Sequence, residues 1–260
     1  MGIVKKGVTI LHFDETYHYQ RKLQSYSHEC IDFTDLEGTR LFCDGQSLKV
    51  IKRKLLSRKQ KGITFIGSGD YHYVTYLLLN EIKLPFTLLL FDHHTDLDDS
   101  AIGRNMPISC GSWLSFALKD NPFLTKAIII GPKWTEKQEI EKVKVIPYTP
   151  ENHPFILQQI QQIQNDFVYI SIDKDVLKKG EAVTNWDQGT MSAATLLFYL
   201  RTILNEKKVI GLDVCGEEPR KRLAFSFLED RMTNKNETIN LNILKMCLRN
   251  PHVYETNQFA

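Results

Sequence analysis

The sequence predicts an α/β fold in which helices cover a parallel β-sheet. Six short apolar runs are bounded by polar or turn-forming residues, and runs that are apolar on both faces are typical of central parallel strands. Helical patterns lie between most of these runs, and this alternation is typical of right-handed βαβ units. The chain has 260 residues, of which 42% are hydrophobic, and we expect residues 1–260 to form a single domain.

The predicted strands are short and rich in Ile, Leu, Val and Phe. In chain order they cover residues 63–67, 86–92, 127–131, 143–148, 166–173 and 209–214. The predicted helices show apolar residues at helical spacing instead. In chain order they cover residues 47–61, 71–82, 107–118, 153–164, 192–204 and 238–248. Ser192 suits the N-cap of its helix, because its hydroxyl can accept a hydrogen bond from the first turn.

The first of these helices is unusually basic. Residues 47–61 carry seven Lys or Arg residues, while Leu48, Ile51 and Leu55 recur on one side. We interpret the segment as an amphipathic surface helix with a solvated basic face. A docking surface for an acidic partner is the alternative.

The charge balance argues against functions that need a strongly charged surface. The formal net charge is +2, from 33 basic and 31 acidic residues, so we expect neither a nucleic-acid nor a membrane partner. No apolar run reaches the roughly 18 residues of a membrane-spanning helix, and the N-terminal segment meets an acidic residue too early for a secretory signal. We therefore expect a cytoplasmic protein. The five cysteines form no CxxC pair, which favours reduced thiols over disulfides or a thiolate zinc site.

The most informative segment follows the predicted strand at 86–92. Asp92, His94 and Asp96 form a D-x-H-x-D triplet, and in extended backbone these alternate side chains would point to the same side. A solvated polar loop is the alternative. Ionisable groups that converge after an apolar strand repel one another or stay unsatisfied unless a cation compensates them. The triplet therefore predicts a metal site.

Two further strand ends carry ligands of the same kind. Asp173 and Asp175 share a face after the strand at 166–173, and two carboxylates this close favour a cation between them. His72 follows the small-residue turn after the strand at 63–67, although taken alone it could equally be a surface or core histidine. Ligands bind at the carboxyl ends of strands in α/β sheets, so we expect these groups to meet at one rim.

Four carboxylates and two imidazoles would suit a pair of divalent cations. A ligand set rich in carboxylate oxygen favours Mn²⁺, with Zn²⁺, Co²⁺, Ni²⁺ and Fe²⁺ as alternatives. Two such cations can acidify a bridging water to hydroxide near neutral pH, and that hydroxide can attack a guanidinium or amide carbon. Glu217 and Glu218 follow the last predicted strand at the same rim, where a carboxylate could pair with a planar guanidinium. An exposed acidic turn is the alternative for both.

Taken together, the motifs resemble those of the ureohydrolase family, which includes arginases, agmatinases and formiminoglutamases. FDHHTD is similar to the family's D-A-H-x-D signature, and SIDKDVL is similar to its S-x-D-x-D segment. GSGDYH resembles its G-G-D-H element with one residue inserted, and GLDVCGEEP resembles the late strand that carries the substrate Glu. The resemblance covers roughly residues 60 to 220.

The resemblance implies a three-layer α/β/α sandwich with a mostly parallel sheet of about eight strands, and two metal ions, usually Mn²⁺. The implied ligands of the first ion are His72, Asp92, Asp96 and Asp173. Those of the second are His94, Asp92, Asp173 and Asp175, with Asp92 and Asp173 bridging. It also implies a small guanidino or amidino substrate, and a homo-oligomer as the state common in the family.

The chain departs from the family at the proposed substrate side of the site. The stretch at 103–107 lacks the family's proton-shuttling His, so either the shuttle is absent or another group such as His93 performs it. The late Glu is displaced by one residue, which makes Glu217 our first candidate and Glu218 the second. We expect catalytic roles for Asp96, Glu217 and His93. The residues expected to contact substrate are Glu217, Glu218, Arg104 and Asn105.

The leading hypothesis is a dinuclear metal-dependent hydrolase that cleaves a C–N bond of a guanidino or amidino compound. A deacetylase-like amidohydrolase with a single zinc ion is one alternative. A catalytically silent metal-binding regulatory protein is the other, and the missing His supports it. Fold analogy alone does not decide among the three.

Overall fold

The structure, a computed structural model, describes residues 7–99, 106–133, 140–219 and 227–249. Arg104 and Asn105, two predicted substrate contacts, lie outside these ranges. Within them the dominant feature is an eight-stranded sheet in which every pair of neighbouring strands is parallel. Its strands lie in the order β2-β1-β4-β10-β9-β5-β7-β8, and β3 and β6 form a separate antiparallel pair.

The ten strands are β1 (Val8–His12), β2 (Glu29–Asp32), β3 (Phe42–Cys43), β4 (Ile63–Phe65), β5 (Phe86–Phe91), β6 (Ile108–Ser109), β7 (Leu124–Gly131), β8 (Val143–Pro147), β9 (Phe167–Asp173) and β10 (Lys208–Cys215). The helices are α1 (Arg21–Gln24), α2 (Gly45–Ser57), α3 (Val74–Leu79), α4 (Trp113–Asp120), α5 (His153–Gln161), α6 (Ala193–Glu206) and α7 (Phe227–Arg249). Short 3₁₀ turns cover Thr16–Tyr19, Gly69–Tyr71, Pro150–Asn152 and Lys174–Val176.

Alternate side chains of the strands feed two apolar cores, one on each face of the sheet. Leu89 and Phe91 of β5 pack with α5, α6 and α7, whereas Leu88 and Leu90 pack with α2, α3 and α4. This two-sided burial explains why the central strands are apolar throughout. The prediction of a three-layer α/β/α sandwich with about eight mostly parallel strands is confirmed.

Several elements differ from the sequence-based expectation. β1 and β2 were not predicted, and the helix expected over 71–82 is split into a 3₁₀ turn and the shorter α3. The split follows from Ser68, whose hydroxyl caps the 3₁₀ turn by accepting a bond from the Asp70 N–H. The helix expected over 107–118 begins only at Trp113, because Ile108 and Ser109 form β6 instead. Ser192 caps α6 as predicted.

The remaining expectations concern surfaces. The basic segment forms α2, with Ile51 and Leu55 buried against the core and its N-terminus capped by Asp44. None of the helices that the structure describes has both the length and the apolarity needed to cross a membrane.

Candidate metal centre

The six predicted ligands come together where four adjacent strands end. β4, β10, β9 and β5 are neighbours in the sheet, so the chain segments that follow them share one edge. His72 comes after β4, the segment from Asp92 to Asp96 comes after β5, and Asp173 closes β9 with Asp175 just beyond. Residues that are up to about a hundred positions apart in sequence therefore form one cluster.

His72 is the centre of the first half of this cluster. Its Nδ1 lies 3.0 Å from Asp96 Oδ2, 3.3 Å from Asp92 Oδ2 and 3.6 Å from Asp173 Oδ2. All four side chains are almost fully buried. One imidazole nitrogen and three carboxylate oxygens thus face a common point that bulk water does not reach.

His94 is the centre of the second half. Its Nδ1 lies 2.8 Å from Asp175 Oδ2 and 3.6 Å from Asp92 Oδ1. Asp92 therefore turns one oxygen to each histidine and stands between the two halves. The backbone N–H of Asp175 donates to Asp173 Oδ1, which fixes the Asp173 carboxylate against the turn that carries Asp175.

The D-x-H-x-D triplet reaches this arrangement by a different backbone path from the extended one that we predicted. β5 ends at Phe91, and Asp96 has a left-handed backbone with φ of 53°. Few residues other than Gly adopt this conformation, although Asp and Asn tolerate it best. The Trp113 indole N–H donates to Asp96 Oδ2 and holds the carboxylate over His72. The turn, and not strand alternation, brings Asp96 to the site.

A hydrogen-bond chain behind His72 fixes the orientation of its ring. His72 Nε2 lies 3.0 Å from Ser171 Oγ, and the Ser171 hydroxyl donates to Asp213 Oδ1 at 2.7 Å. The Tyr169 hydroxyl donates to Asp213 Oδ2 at 2.9 Å. Because the Ser171 proton is committed to Asp213, its oxygen accepts the Nε2 proton, and Nδ1 is the nitrogen that a metal ion would bind. Metal-binding histidines are commonly oriented by partners of this kind.

The pKa shifts of the carboxyl groups show that burial and mutual repulsion oppose the ionisation of several of them. Burial, and then the charge of Asp173, raises the pKa of Asp175 well above its usual value. Burial, and then the charge of Asp92, raises the pKa of Asp96 to about 6. Burial opposes ionisation of Asp92 as well, but the adjacent His72 and His94 rings hold its pKa at about 2. The ionised form of Asp92 is thus stabilised, and its negative charge raises the pKa of neighbouring Asp96.

These residues fit a pair of divalent cations. Asp92 Oδ2 is buried and has no hydrogen-bond partner among the described residues, so a strong acceptor is left facing the cluster. His72, Asp92 and Asp96 form one group of donors close enough to share an ion, and Asp92, His94 and Asp175 form another. Buried charges that lack a protein partner are expected to bind metal.

The cluster forms one wall of a cavity of about 780 Å³. The lining is largely apolar by area and includes Leu41, Leu97, Ile140, Val145 and Trp186. A cavity with a polar end and apolar sides is typical of small-molecule sites.

The loop after β9 closes part of this cavity. Asp187 accepts a hydrogen bond from His94 Nε2 at 2.9 Å, and the Trp186 ring packs edge-on against His94. Buried Asp70 anchors the loop, since it accepts bonds from Asn185 Nδ2 at 2.8 Å and Trp186 Nε1 at 3.0 Å. The loop after β9 therefore orients one of the two histidines.

The other predicted site residues lie in different surroundings. His93 lines the cavity, with its Nε2 3.5 Å from Asp187 Oδ2. Glu217 is buried and ion-paired with Lys174 on the far side of β9, outside the lining of the cavity. Glu218 is half-buried beside it and also lies outside that lining.

Sequence reasoning overlooked several residues that support the site. Asp213 and Cys215 lie on β10 at alternate positions, Ser171 lies two residues before Asp173, and Asp187 lies in the loop after β9. Strand alternation placed Ser171 and Asp213 on the ligand side and could have indicated them. No local pattern marks Asp187, because its contact with His94 depends on how the loop folds back.

The match to a known family agrees with this geometry. The model of the arginase family matches residues 4–222. The chain belongs to the arginase family. An uncharacterised protein of Thermotoga maritima is 34% identical over 242 residues, which cover 93% of this chain and 90% of that protein.

Solved structures of the family share the fold. Formimidoylglutamase from Bacillus subtilis superposes with a TM-score of 0.68 at 17% identity, covering 94% of this chain and 87% of that one. Arginase from Bacillus caldovelox gives a TM-score of 0.64 at 12% identity, covering 93% and 98%. Arginase-family proteins are dinuclear metal hydrolases that act on C–N bonds of guanidino or amidino compounds.

Proposed function

We propose that this protein is a dinuclear metal-dependent hydrolase that cleaves a C–N bond of a small guanidino or amidino compound. The observation that carries the proposal is the largely buried cluster of four carboxylates and two imidazoles that lines one cavity. Such a cluster is costly without cations and well suited to two of them.

Each ion would have its own histidine. The first would be held by His72, Asp92, Asp96 and Asp173. The second would be held by His94, Asp92, Asp173 and Asp175. The predominance of carboxylate oxygen favours Mn²⁺. When bound, the two ions would supply a strongly acidified water as nucleophile at neutral pH.

The chain's own groups would then orient and protonate the reactants. Asp187 holds His94 by accepting its Nε2 proton, and Asp213 holds His72 through Ser171. We assign to His93 the transfer of a proton to the leaving nitrogen, because its ring lines the cavity beside the cluster. Its Nδ1 is buried without a hydrogen-bond partner among the described residues, and its Nε2 lies 3.5 Å from Asp187 Oδ2.

The apolar part of the cavity lining indicates what kind of substrate would fit. Apolar walls at Leu97, Val145 and Trp186 suit a substrate with an apolar chain beyond its reactive carbon. Glu217 does not support a substrate contact, because Lys174 neutralises it away from the cavity. This placement supports a substrate other than free arginine.

The test is a screen of guanidino and amidino compounds with Mn²⁺-reconstituted protein, scored by release of urea, ammonia or amine. Wild type should turn over at least one compound, and Asp173→Asn should abolish turnover because it removes a carboxylate shared by both ions. Asp99→Asn, an exposed carboxylate in the segment after β5, is the matched control and should retain activity. Two bound ions without turnover would point to a silent metal-binding protein, and one zinc ion per chain would point to a deacetylase-like enzyme.

A further inference from the structure

We propose that Cys215 is an additional ligand of the first metal ion, the ion assigned above to His72, Asp92, Asp96 and Asp173. This inference rests on the proposed dinuclear function and adds to it. It makes the two metal sites chemically unlike, one with a thiolate ligand and one without.

Sheet register places the thiol beside the carboxylates. Cys215 on β10 is the parallel partner of Asp173 on β9. Its Sγ lies 3.2 Å from Asp173 Oδ2, and the same oxygen lies 3.6 Å from His72 Nδ1. Donor atoms of His72, Asp173 and Cys215 all lie within 4.8 Å of one another. Donors that share one ion through bonds of about 2.0 to 2.3 Å are separated by at most about 4.6 Å, so a small adjustment suffices.

Gly216 allows β10 to approach β9 this closely. It has a left-handed backbone with φ of 82°, and a Cβ atom at this position would lie 2.3 Å from Asp173 Oδ1 and 2.5 Å from the Lys174 backbone nitrogen. Any other side chain would push the two strand ends apart. The glycine therefore holds the Cys215 thiol against the cluster.

The surroundings of Cys215 indicate a ligand and not only a packing residue. The side chain is fully buried and its Sγ–H donates to Asp173 Oδ2, while Asp92, assigned to the same ion, is buried with an Oδ2 that has no hydrogen-bond partner in the described part of the chain. Cys247, an equally buried cysteine, lies instead in the apolar core. The two thiols have equal burial and opposite environments.

A thiolate changes which metal the first site prefers. On metal binding, the Sγ–H proton is released to solvent and the sulfur electron pair forms the bond to the ion. Soft sulfur ligands favour Zn²⁺, Fe²⁺ and Co²⁺ over Mn²⁺, whereas carboxylates favour Mn²⁺. The first site should therefore take a softer ion than the second, which has only carboxylates and one imidazole.

Cobalt loading tests this assignment without relying on activity. Protein stripped of metal and reloaded with Co²⁺ should show a near-ultraviolet sulfur-to-cobalt charge-transfer band. Cys215→Ser should lose the band, while Cys247→Ser and the cavity-lining Cys110→Ser should keep it. With Zn²⁺, X-ray absorption should show a sulfur scatterer at about 2.3 Å in wild type and not in Cys215→Ser.

Affinity gives a second readout. Cys215→Ser should weaken binding of one Co²⁺ per chain by more than the roughly tenfold cost of losing a supporting partner, and should leave Mn²⁺ affinity at the second site unchanged. Two bound cobalt ions without the band, or a band that survives in Cys215→Ser, would overturn the ligand role and leave the dinuclear proposal standing. Failure to bind cobalt at all would overturn both.

Discussion

Two buried charged clusters lie back to back at the end of β9, and they are completed in opposite ways. Asp173 and Asp175 face the metal cluster, while Lys174, between them, points to the other side. There it forms an ion pair with Glu217, and Asn240 donates to Glu217 at 2.6 Å and accepts from Lys174 at 3.2 Å. We call this second group the closed cluster.

The closed cluster contains its own countercharge, and the metal cluster does not. Lys174 and Asn240 both donate to Glu217 Oε1, and Lys174 also donates to Asn240 Oδ1. Asn240 in turn donates to Gln20. On the other face, four carboxylates share two imidazoles and leave Asp92 Oδ2 without a partner among the described residues. Burial alone therefore does not distinguish the two clusters. The protein balances the charge of the closed cluster, which indicates a structural role, but it does not balance the charge of the metal cluster, which indicates a functional one.

The largest expected effect comes from breaking the closed cluster. Lys174→Met would leave the Glu217 carboxylate buried and unpaired, and it should lower the free energy of unfolding by about 3–5 kcal/mol. Urea denaturation of the metal-free protein measures this loss. The double variant Lys174→Met/Glu217→Gln should recover much of it, and a single variant as stable as wild type would contradict the structural role of the pair.

Removing one charged group from the metal cluster should not lower the free energy of unfolding when metal is absent, in contrast to the effect of Lys174→Met. Burial and the charge of Asp173 raise the pKa of Asp175, so its ionised form costs stability near neutral pH. Asp175→Asn should therefore leave metal-free protein unchanged or stabilise it by about 1 kcal/mol. With Mn²⁺ at a hundred times its dissociation constant, wild type should gain about 2.7 kcal/mol for each ion bound, and the variant should gain clearly less. Thermal unfolding with and without chelator compares the two, and destabilisation of the metal-free variant would contradict the account.

A smaller effect should follow from loosening the hydrogen-bond chain behind His72. Asp213→Asn weakens the acceptor that commits the Ser171 proton, and metal affinity should fall by about 10- to 100-fold. Tyr169→Phe removes the other bond to Asp213 without altering the route to His72, and it should cost less. Calorimetric titration with Mn²⁺ measures both. Equal losses would mean that Asp213 acts by packing alone.

The smallest effect concerns His12, a buried histidine at the end of β1 whose ring stays neutral. Burial, and then the charge of His18, lowers the pKa of His12 to about 4. The folded state thus favours the neutral ring, and the stability this contributes is present above about pH 6.5 and is lost as the pH falls towards 4. A shift of this size is worth about 3 kcal/mol in full, and solvent screening reduces it to about 1–2 kcal/mol. The unfolding free energy of His12→Gln should change less than that of wild type across this pH range, and parallel curves would contradict the assignment.

Sequence alone was sufficient to select the side chains that the structure brings together as candidate metal ligands, because their signals are local. Carboxylates and imidazoles at two-residue spacing directly after apolar runs mark Asp92, His94, Asp173 and Asp175 with no knowledge of the sheet order. The strands that were not predicted lack such a signal. In β2 only Ile31 is buried, so the strand shows no apolar run, and the apolar stretch of β1 is short and stands beside charged residues.

Pairings between distant residues could not be predicted. The contact of Lys174 with Glu217, and that of His72 with Ser171, depend on β10 lying between β4 and β9 in the sheet. Glu217 illustrates the consequence. Its sequence position suggested the substrate side, but the turn after Gly216 directs it to Lys174 instead. A local sequence pattern identifies the polar groups that follow a strand. The residues that these groups contact depend on the order of the strands in the sheet.

The number of Mn²⁺ ions bound per chain tests the central claim most directly. Titration of chelator-treated wild type should give two ions per chain, and Glu217→Gln, which alters only the closed cluster, should give the same number. Asp92→Asn, which removes the carboxylate turned towards both histidines, should bind fewer ions and bind them more weakly. If wild type bound none, or if Asp92→Asn bound two with unchanged affinity, the cluster would not be the dinuclear centre that its geometry indicates.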